Sequence, residues 1–249
     1  MDDTDIGGPR AAFPETPASA VLAARSDDPV ARARGFASLV AAYWKPVYKS
    51  VRVRFRKSNE EAKDLTQAFF THALEREMFR SYDPERARFR AFVRTCLRNY
   101  VVNDEEAARR LKRGGGVMTL SLDFEQAERE IDLGVSDGSF EEAFDRDLAA
   151  SLRSMAVQEL EESLDARGKS VYFTLFERYD LADPAERPTY AALAEELALK
   201  PTDVTNYLHH TRSLLRRIVL RRLREITASE EEFRDEALAV LGIDPSELA

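Results

Sequence analysis

A chain of 249 residues, 44% hydrophobic and 33% charged, can bury one or two cores but is far too charged to sit in a membrane. Its 37 Lys and Arg stand against 45 Asp and Glu, and the net charge of -8 taken alone argues against nucleic acid as a partner. One cysteine, Cys96, excludes a disulfide framework and a Cys-rich zinc site, as expected of a protein kept in a reducing compartment.

The opening Met1-Asp2-Asp3-Thr4-Asp5 is acidic where a secretory signal is basic, and no run approaches the roughly 20 apolar residues of a bilayer span. A cytoplasmic protein with no membrane partner is expected. Residues 1–29 combine Gly7-Gly8-Pro9, Pro14 and Pro17 with small and acidic residues, which predicts a disordered leader. From Asp28-Pro29 onward Phe36, Leu39, Val40, Tyr43, Val47 and Val51 recur at helical spacing, and Pro46 is expected to kink or restart that helix. Between Arg32 and Lys57 the chain carries bases and no acid, closing with Arg52, Arg54, Arg56 and Lys57. A single-sign stripe suits a phosphate backbone, where each neutralised phosphate releases a counterion. The alternative is a solvated helix face that touches nothing.

Ser58-Asn59-Glu60-Glu61 has the form of a capping box, and Ala62, Leu65, Phe69 and Ala73 supply the apolar stripe of a second helix ending near Phe79. Asp83-Pro84 reads as an N-cap and first helical position, and Phe89, Phe92, Val93, Cys96, Leu97 and Tyr100 extend a third helix toward Arg109–Arg113. Beside its apolar face Thr95, Asn99 and Asn103 form a polar stripe at four-residue spacing. Gly114-Gly115-Gly116 ends the run, and the acidic, irregular residues 114–140 read as an interdomain linker.

A second helical block covers residues 141–226. Within it Thr189–Leu197 is a short amphipathic helix, Ala198-Leu199-Lys200 a turn, and Pro201 the first position of a helix packed through Val204 and Leu208. That helix presents Thr202, Asp203, Thr205, Asn206 and Tyr207, then an acid-free run of Arg212, Arg216, Arg217, Arg221, Arg222 and Arg224. Short helix, turn and polar-faced helix describe a helix-turn-helix, with the polar group reaching base edges and His209, His210, Arg212 and Arg216 holding phosphates. An ordinary pair of antiparallel helices has the same spacing. The acidic residues 227–249 carry Phe233, Ala237, Leu238 and Leu241, enough for one more short helix. Strand alternation is absent, so the predicted class is all-α.

Taken together these segments resemble bacterial sigma factors of the extracytoplasmic-function type, the RNA polymerase subunits that recognise promoters. Glu61-Ala62-Lys63-Asp64-Leu65-Thr66-Gln67-Ala68-Phe69-Phe70 looks like the family's D-A-E-D-L-x-Q-x-x-F helix, which implies that Glu61, Lys63, Asp64 and Gln67 meet the β′ clamp. Phe89–Asn99 is similar to the helix that captures the melted -10 element, which implies that Arg94, Thr95, Arg98, Asn99 and Asn103 touch DNA. Leu197 to Arg212 is similar to the helix-turn-helix that reads the -35 element, in its L-G-I-S-x-x-x-V-x-x-x-L-x-R-A-R form. The resemblance implies two small helical domains joined by a flexible linker: sigma domain two over residues 30–113 and helix-turn-helix sigma domain four over 141–226, the latter beside the β flap. It also implies no catalytic residues, because the polymerase performs the chemistry.

The sequence departs from the pattern at Lys63, which brings a positive charge to a helix that is usually richer in acid, and this weakens docking to a basic clamp. Thr66 lies one helical turn away, where it reads either as a threonine filling the edge of the apolar stripe or as a site whose phosphate would add about -1.5 to -2 charge. Kinase-linked members of the family suggest that phosphorylation of Thr66 by a Ser/Thr kinase switches on polymerase binding; an anti-sigma factor is the other candidate regulator. Lys200 stands where the N-cap serine is usual. A stand-alone helix-turn-helix regulator and a helical protein adaptor remain as alternatives. An enzyme is not expected: His72, His209 and His210 have no metal-ligand spacing, no phosphate-binding loop is present, and neither cofactor nor metal is called for.

Overall fold

The structure, a computed structural model, describes residues 19–108, 122–131 and 138–244. Ten α-helices and one short 3-10 helix account for the regular elements among them, and the class is all-α as the patterning implies. The chain runs α1 (Ala20–Ala24), α2 (Pro29–Val53), α3 (Asn59–Glu75), the 3-10 helix Met78–Ser81, α4 (Phe89–Ala108), α5 (Phe124–Arg129), α6 (Phe140–Asp165), α7 (Ser170–Asp180), α8 (Tyr190–Glu196), α9 (Pro201–Glu225) and α10 (Glu230–Leu241). None of the described helices is long and apolar enough to cross a membrane.

At the centre lies α2. Asp28 caps it by accepting from the backbone N–H of Val30 and Ala31, Pro29 occupies the first turn, and from Ala42 to Val51 every residue is buried. That stretch has no solvent face, so neighbours cover α2 there on all sides: α1, α3, α5 and the first half of α6 pack on the helix. Edge-to-face aromatic contacts fill the space beside it, with Phe89 5.7 Å from Tyr43, 5.4 Å from Phe79 and 5.0 Å from Tyr82. Each such buried ring contributes on the order of 1.5–3 kcal/mol through its removal from water.

Pro46 does not break α2. Proline has no N–H, so the carbonyl of Ala42 four residues earlier loses its ladder partner. The hydroxyl of Ser151, reaching across from α6, donates to that carbonyl at 3.0 Å in a buried site. One side chain thereby repairs the ladder and fixes α6 against α2.

Two apolar clusters result. The first gathers α1 to α5 with Phe144, Leu148, Ala149 and Leu152 of α6, Leu223 of α9, and Phe233, Ala237 and Val240 of α10. The second joins Ala156, Leu160 and Leu164 of α6 with Leu175 and Phe176 of α7, Leu193 of α8, and Val204 and Leu208 of α9. A continuous α6 belongs to both.

Several boundaries differ from those expected. The leader is ordered from Ser19: Ala20, Val21 and Ala24 are buried, and α1 approaches α2 so closely at Gly35 that a Cβ there would stand 2.5 Å from the Ala24 nitrogen. The second helix stops at Glu75, where Glu77 turns left-handed (φ 47°), rather than near Phe79. Helix α4 begins at Phe89, because Asp83 closes a turn by accepting from the Glu85 N–H, at 3.1 Å, instead of starting a helix at Pro84. The expected linker contains α5, which buries Phe124 and Ala127 against α2. The remaining leader residues 1–18, Arg109–Arg113 and Gly114-Gly115-Gly116 lie outside the described residues.

If Ser151 compensates for Pro46, Ser151→Ala lowers stability by about 1–3 kcal/mol, the penalty for a buried carbonyl left unpaired. In a Pro46→Ala background, where the ladder bond re-forms, the same substitution should cost less than half as much. Thermal denaturation of the four proteins of this cycle measures the coupling.

Candidate nucleic-acid interface

The basic run of α2 is not a free phosphate-binding stripe. Lys45 and Lys49 are buried and bind the carboxylate of Glu130 at 2.9 and 3.1 Å, and Lys49 also lies 3.7 Å from Asp147. Arg52 grips Glu128 at 2.5 Å, and Tyr48 donates to the same carboxylate at 2.5 Å. Hydrogen bonds from Arg52 hold the Glu128 carboxyl below its ordinary range, whereas burial pushes Asp147 up to about 6. Acids read as a solvated linker are therefore the partners of bases read as a DNA surface. Pairing the blocks by opposite sign along the sequence could have suggested it.

On α3 the capping box forms as expected, and the Ser58 N–H donates to Glu61 at 2.9 Å. Those bonds to Ser58 lower the pKa of Glu61. Lys63 binds Glu60 at 2.9 Å, so its charge is offset by a neighbour that the motif comparison leaves out. Asp64 is exposed, Gln67 half-buried, and together with Glu60, Glu61 and Lys63 they make a mildly acidic face. Thr66 differs: it is 0% exposed and its hydroxyl has no hydrogen-bond partner.

On α4, Thr95, Arg98, Asn99 and Asn103 are all exposed along one side. The Thr95 hydroxyl donates to the Ala91 carbonyl at 2.9 Å, leaving its lone pairs and methyl facing outward. Arg94 does not join that face in this arrangement. It is tied to Asp145 of α6 at 2.9 Å.

Helices α8 and α9 meet through the turn Leu197–Lys200, in which Ala198 adopts a left-handed backbone (φ 53°). A glycine occupies that position in the pattern the segment resembles, and the backbone here shows why. The Thr189 hydroxyl caps α8, accepting from Ala192 at 3.2 Å. Lys200 has no acceptor to offer α9, so Asp203 accepts the Lys200 N–H instead, at 3.4 Å, and is half-buried. Thr202, Thr205, Asn206 and His209 are exposed. Tyr207 is partly withdrawn, stacked 4.0 Å from Tyr172 of α7, and His210 meets the edge of that pair at 5.5 Å. Burial is the main cause of a lowered His210 pKa, with Lys169, Arg217 and Arg167 adding positive charge nearby. Sequence spacing did not reveal this second basic contribution, because Arg167 and Lys169 come from the turn before α7.

The arginine run of α9 divides in two. Arg212 binds Asp180 through two nitrogens, each at 2.9 Å, yet like Arg216 and Arg217 it stays exposed. Further along, Arg221 and Arg222 both hold Glu159 of α6, and Arg224 pairs with Glu230 while lying 4.0 Å over the ring of Phe233. This second half is structural.

Residues 39–113 match the Sigma-70 region 2 family, a stretch that begins within α2 and takes in α3 and α4. The match supports a sigma factor family for the chain and covers less than half of its length. No curated protein and no solved structure matches it.

Ala198 holds a conformation that disfavours every residue with a Cβ. Ala198→Gly should stabilise the protein by about 1 kcal/mol, read as a higher midpoint in urea with an unchanged slope.

Proposed function

We propose that the protein is a sigma factor of the extracytoplasmic-function type, which binds RNA polymerase core and directs initiation at particular promoters. The observation that carries this reading is the Sigma-70 region 2 match lying over the exposed Thr95, Arg98, Asn99 and Asn103 side of α4. In this reading the acidic face of α3 docks on the β′ clamp, and α4 takes single-stranded bases between polar side chains and a basic backbone contact. The N-terminal half of α9 enters the duplex, with Thr202, Thr205 and Asn206 at base edges and His209, Arg212, Arg216 and Arg217 on phosphates. The α8–α9 unit, which packs on α7 and the second half of α6, also sits against the β flap. The chain supplies no catalytic group and works in the cytoplasm.

Control through Thr66 belongs to the same proposal. A phosphate there adds negative charge beside Lys63, and because a phosphate cannot return to the buried position of Thr66, it strengthens the docking face with that turn of α3 held out of the core. Because Thr66 is fully buried, a Ser/Thr kinase acts on it only when α3 has lifted from the core. An anti-sigma factor is the alternative mode of control, acting by covering the same face.

Run-off transcription with core polymerase on a promoter library tests this reading. Initiation at a defined subset is expected, reduced at least tenfold by Asn99→Ala, and raised when Thr66 is phosphorylated. Absence of initiation with either phosphoform rejects the sigma reading, and equal activity of Thr66→Ala and phosphorylated protein rejects the switch alone.

Division of the α9 arginines gives a separate expectation for duplex binding. Arg217→Ala should reduce the slope of log affinity against log salt by about 1 while leaving the melting temperature unchanged. Arg222→Ala, which removes a partner of Glu159, should lower the melting temperature and leave the slope alone.

A further inference from the structure

Helix α10 and its approach lie outside the Sigma-70 region 2 match. The Ser229 hydroxyl caps the helix by accepting from the Glu232 N–H at 3.1 Å, and three glutamates in the first turn favour its positive end. Its apolar side, Phe233, Ala237 and Val240, is buried in the first cluster. Three of its acidic residues, Glu232, Asp235 and Glu236, point at the start of α4. Glu232 accepts the backbone N–H of Phe89 at 2.7 Å, so the first residue of α4 is capped by a side chain 143 positions later. Asp235 binds Arg88 at 2.7 Å, and Glu236 lies 3.1 Å from Arg90. Asp145 of α6 completes the arrangement, 2.5 Å from Arg90 and 2.9 Å from Arg94.

Every arginine on the first two turns of α4 is thus held by a carboxylate of α6 or α10. These carboxylates offer what a nucleic-acid backbone would offer, negatively charged oxygens at hydrogen-bond distance from guanidinium groups. The arrangement is also costly to keep. Arg90 and Glu236 are 7% and 3% exposed, Glu236 Oε1 has no hydrogen-bond donor, and burial raises the Glu236 pKa to about 6. Buried ion pairs gain little net free energy because desolvation offsets their attraction, so an anion that takes over these guanidinium groups loses little in charge pairing, and the apolar packing of Phe233, Ala237 and Val240 is what holds α10 in place.

We propose that α10 and Asp145 form a carboxylate latch that occupies the basic end of α4 in the free protein and is displaced by single-stranded DNA. The inference rests on the sigma reading and adds regulation to it. In the closed state Thr95, Arg98 and Asn99 remain exposed while Arg88, Arg90 and Arg94 are taken. Opening returns Arg90 and Arg94 to the helix and Arg88 to its approach, and removes the Glu232 cap from its N-terminus. The C-terminal segment therefore restrains DNA binding until DNA itself, presented by the polymerase, exchanges with it.

The test uses the full-length protein with the near-isosteric pair Asp235→Asn/Glu236→Gln, and Asp145→Asn as a second variant that leaves α10 untouched. Glu161→Gln, an exposed acid on α6, controls for loss of negative charge alone. Amide hydrogen exchange over Glu230–Leu241 reads opening without DNA, and anisotropy with a labelled random-sequence 20-nucleotide single strand reads its consequence. The latch predicts faster exchange in α10 for the α10 pair, five- to tenfold tighter DNA binding in both latch variants, and less than twofold in the control. It also predicts loss of α10 protection in the wild type when DNA is added. Unchanged exchange in the α10 pair, or faster exchange with no gain in DNA affinity, overturns the latch. Wild-type initiation in run-off transcription with no latch variant more active leaves the sigma reading standing and the latch rejected. Faster α10 exchange with no initiation by any variant rejects the sigma reading instead.

Discussion

A central helix whose second half carries two lysines and a proline and is buried on every side sets the conditions that the rest of the chain must satisfy. Removing Lys45 and Lys49 from water is tolerable only beside carboxylates, and α5 and α6 bring Glu130 and Asp147 to them. Pro46 leaves a carbonyl that water cannot reach, and Ser151 reaches it. These polar requirements have direction, so they determine which helix lies against which side of α2, where apolar contact alone would accept several arrangements. The position of α6 follows from them. Because α6 continues into the second cluster, the placement of α7, α8 and α9 depends on them as well.

How much of this was visible in the sequence depended on range. Capping boxes and helical periodicity are local, and they located α2, α3, α8 and α9 with small boundary errors. Asp83-Pro84 misled because Asp83 closes a turn just as readily as it caps a helix, and only tertiary contact decides between them; here the decisive contact is the Glu232 cap at Phe89. The segment containing Glu128 and Glu130 looked like a solvated linker because its composition is polar. Its polarity is matched to α2, which periodicity within either segment does not report.

Charge was the least legible property. Acid-free runs in α2 and α9 suggested DNA, yet Lys45, Lys49, Arg52, Arg221 and Arg222 are consumed internally. What remains at the candidate interface is smaller and more specific: the Thr95 to Asn103 side of α4 and the first half of α9, extended by Arg167 and Lys169. The motif comparison at α3 likewise missed Glu60, whose carboxylate offsets the charge of Lys63 on that exposed face. A buried Thr66 could not be inferred from a helical wheel, since the wheel places it only at the edge of the apolar stripe.

The contacts of the last described helix and of the turn before it also govern the order in which the chain can be assembled. Ser19 donates to the Thr227 carbonyl across 208 residues, and Phe89 waits for a cap that is synthesised much later. Closing such long loops is entropically unfavourable, and during synthesis it is impossible until the C-terminal segment leaves the ribosome. A nascent chain therefore leaves Arg88 and the first N–H of α4 uncovered until α10 has been made, and a product that terminates before Ser229 has Asp145 alone to hold Arg90 and Arg94. Emergence of α10 is itself the event that closes this part of the molecule.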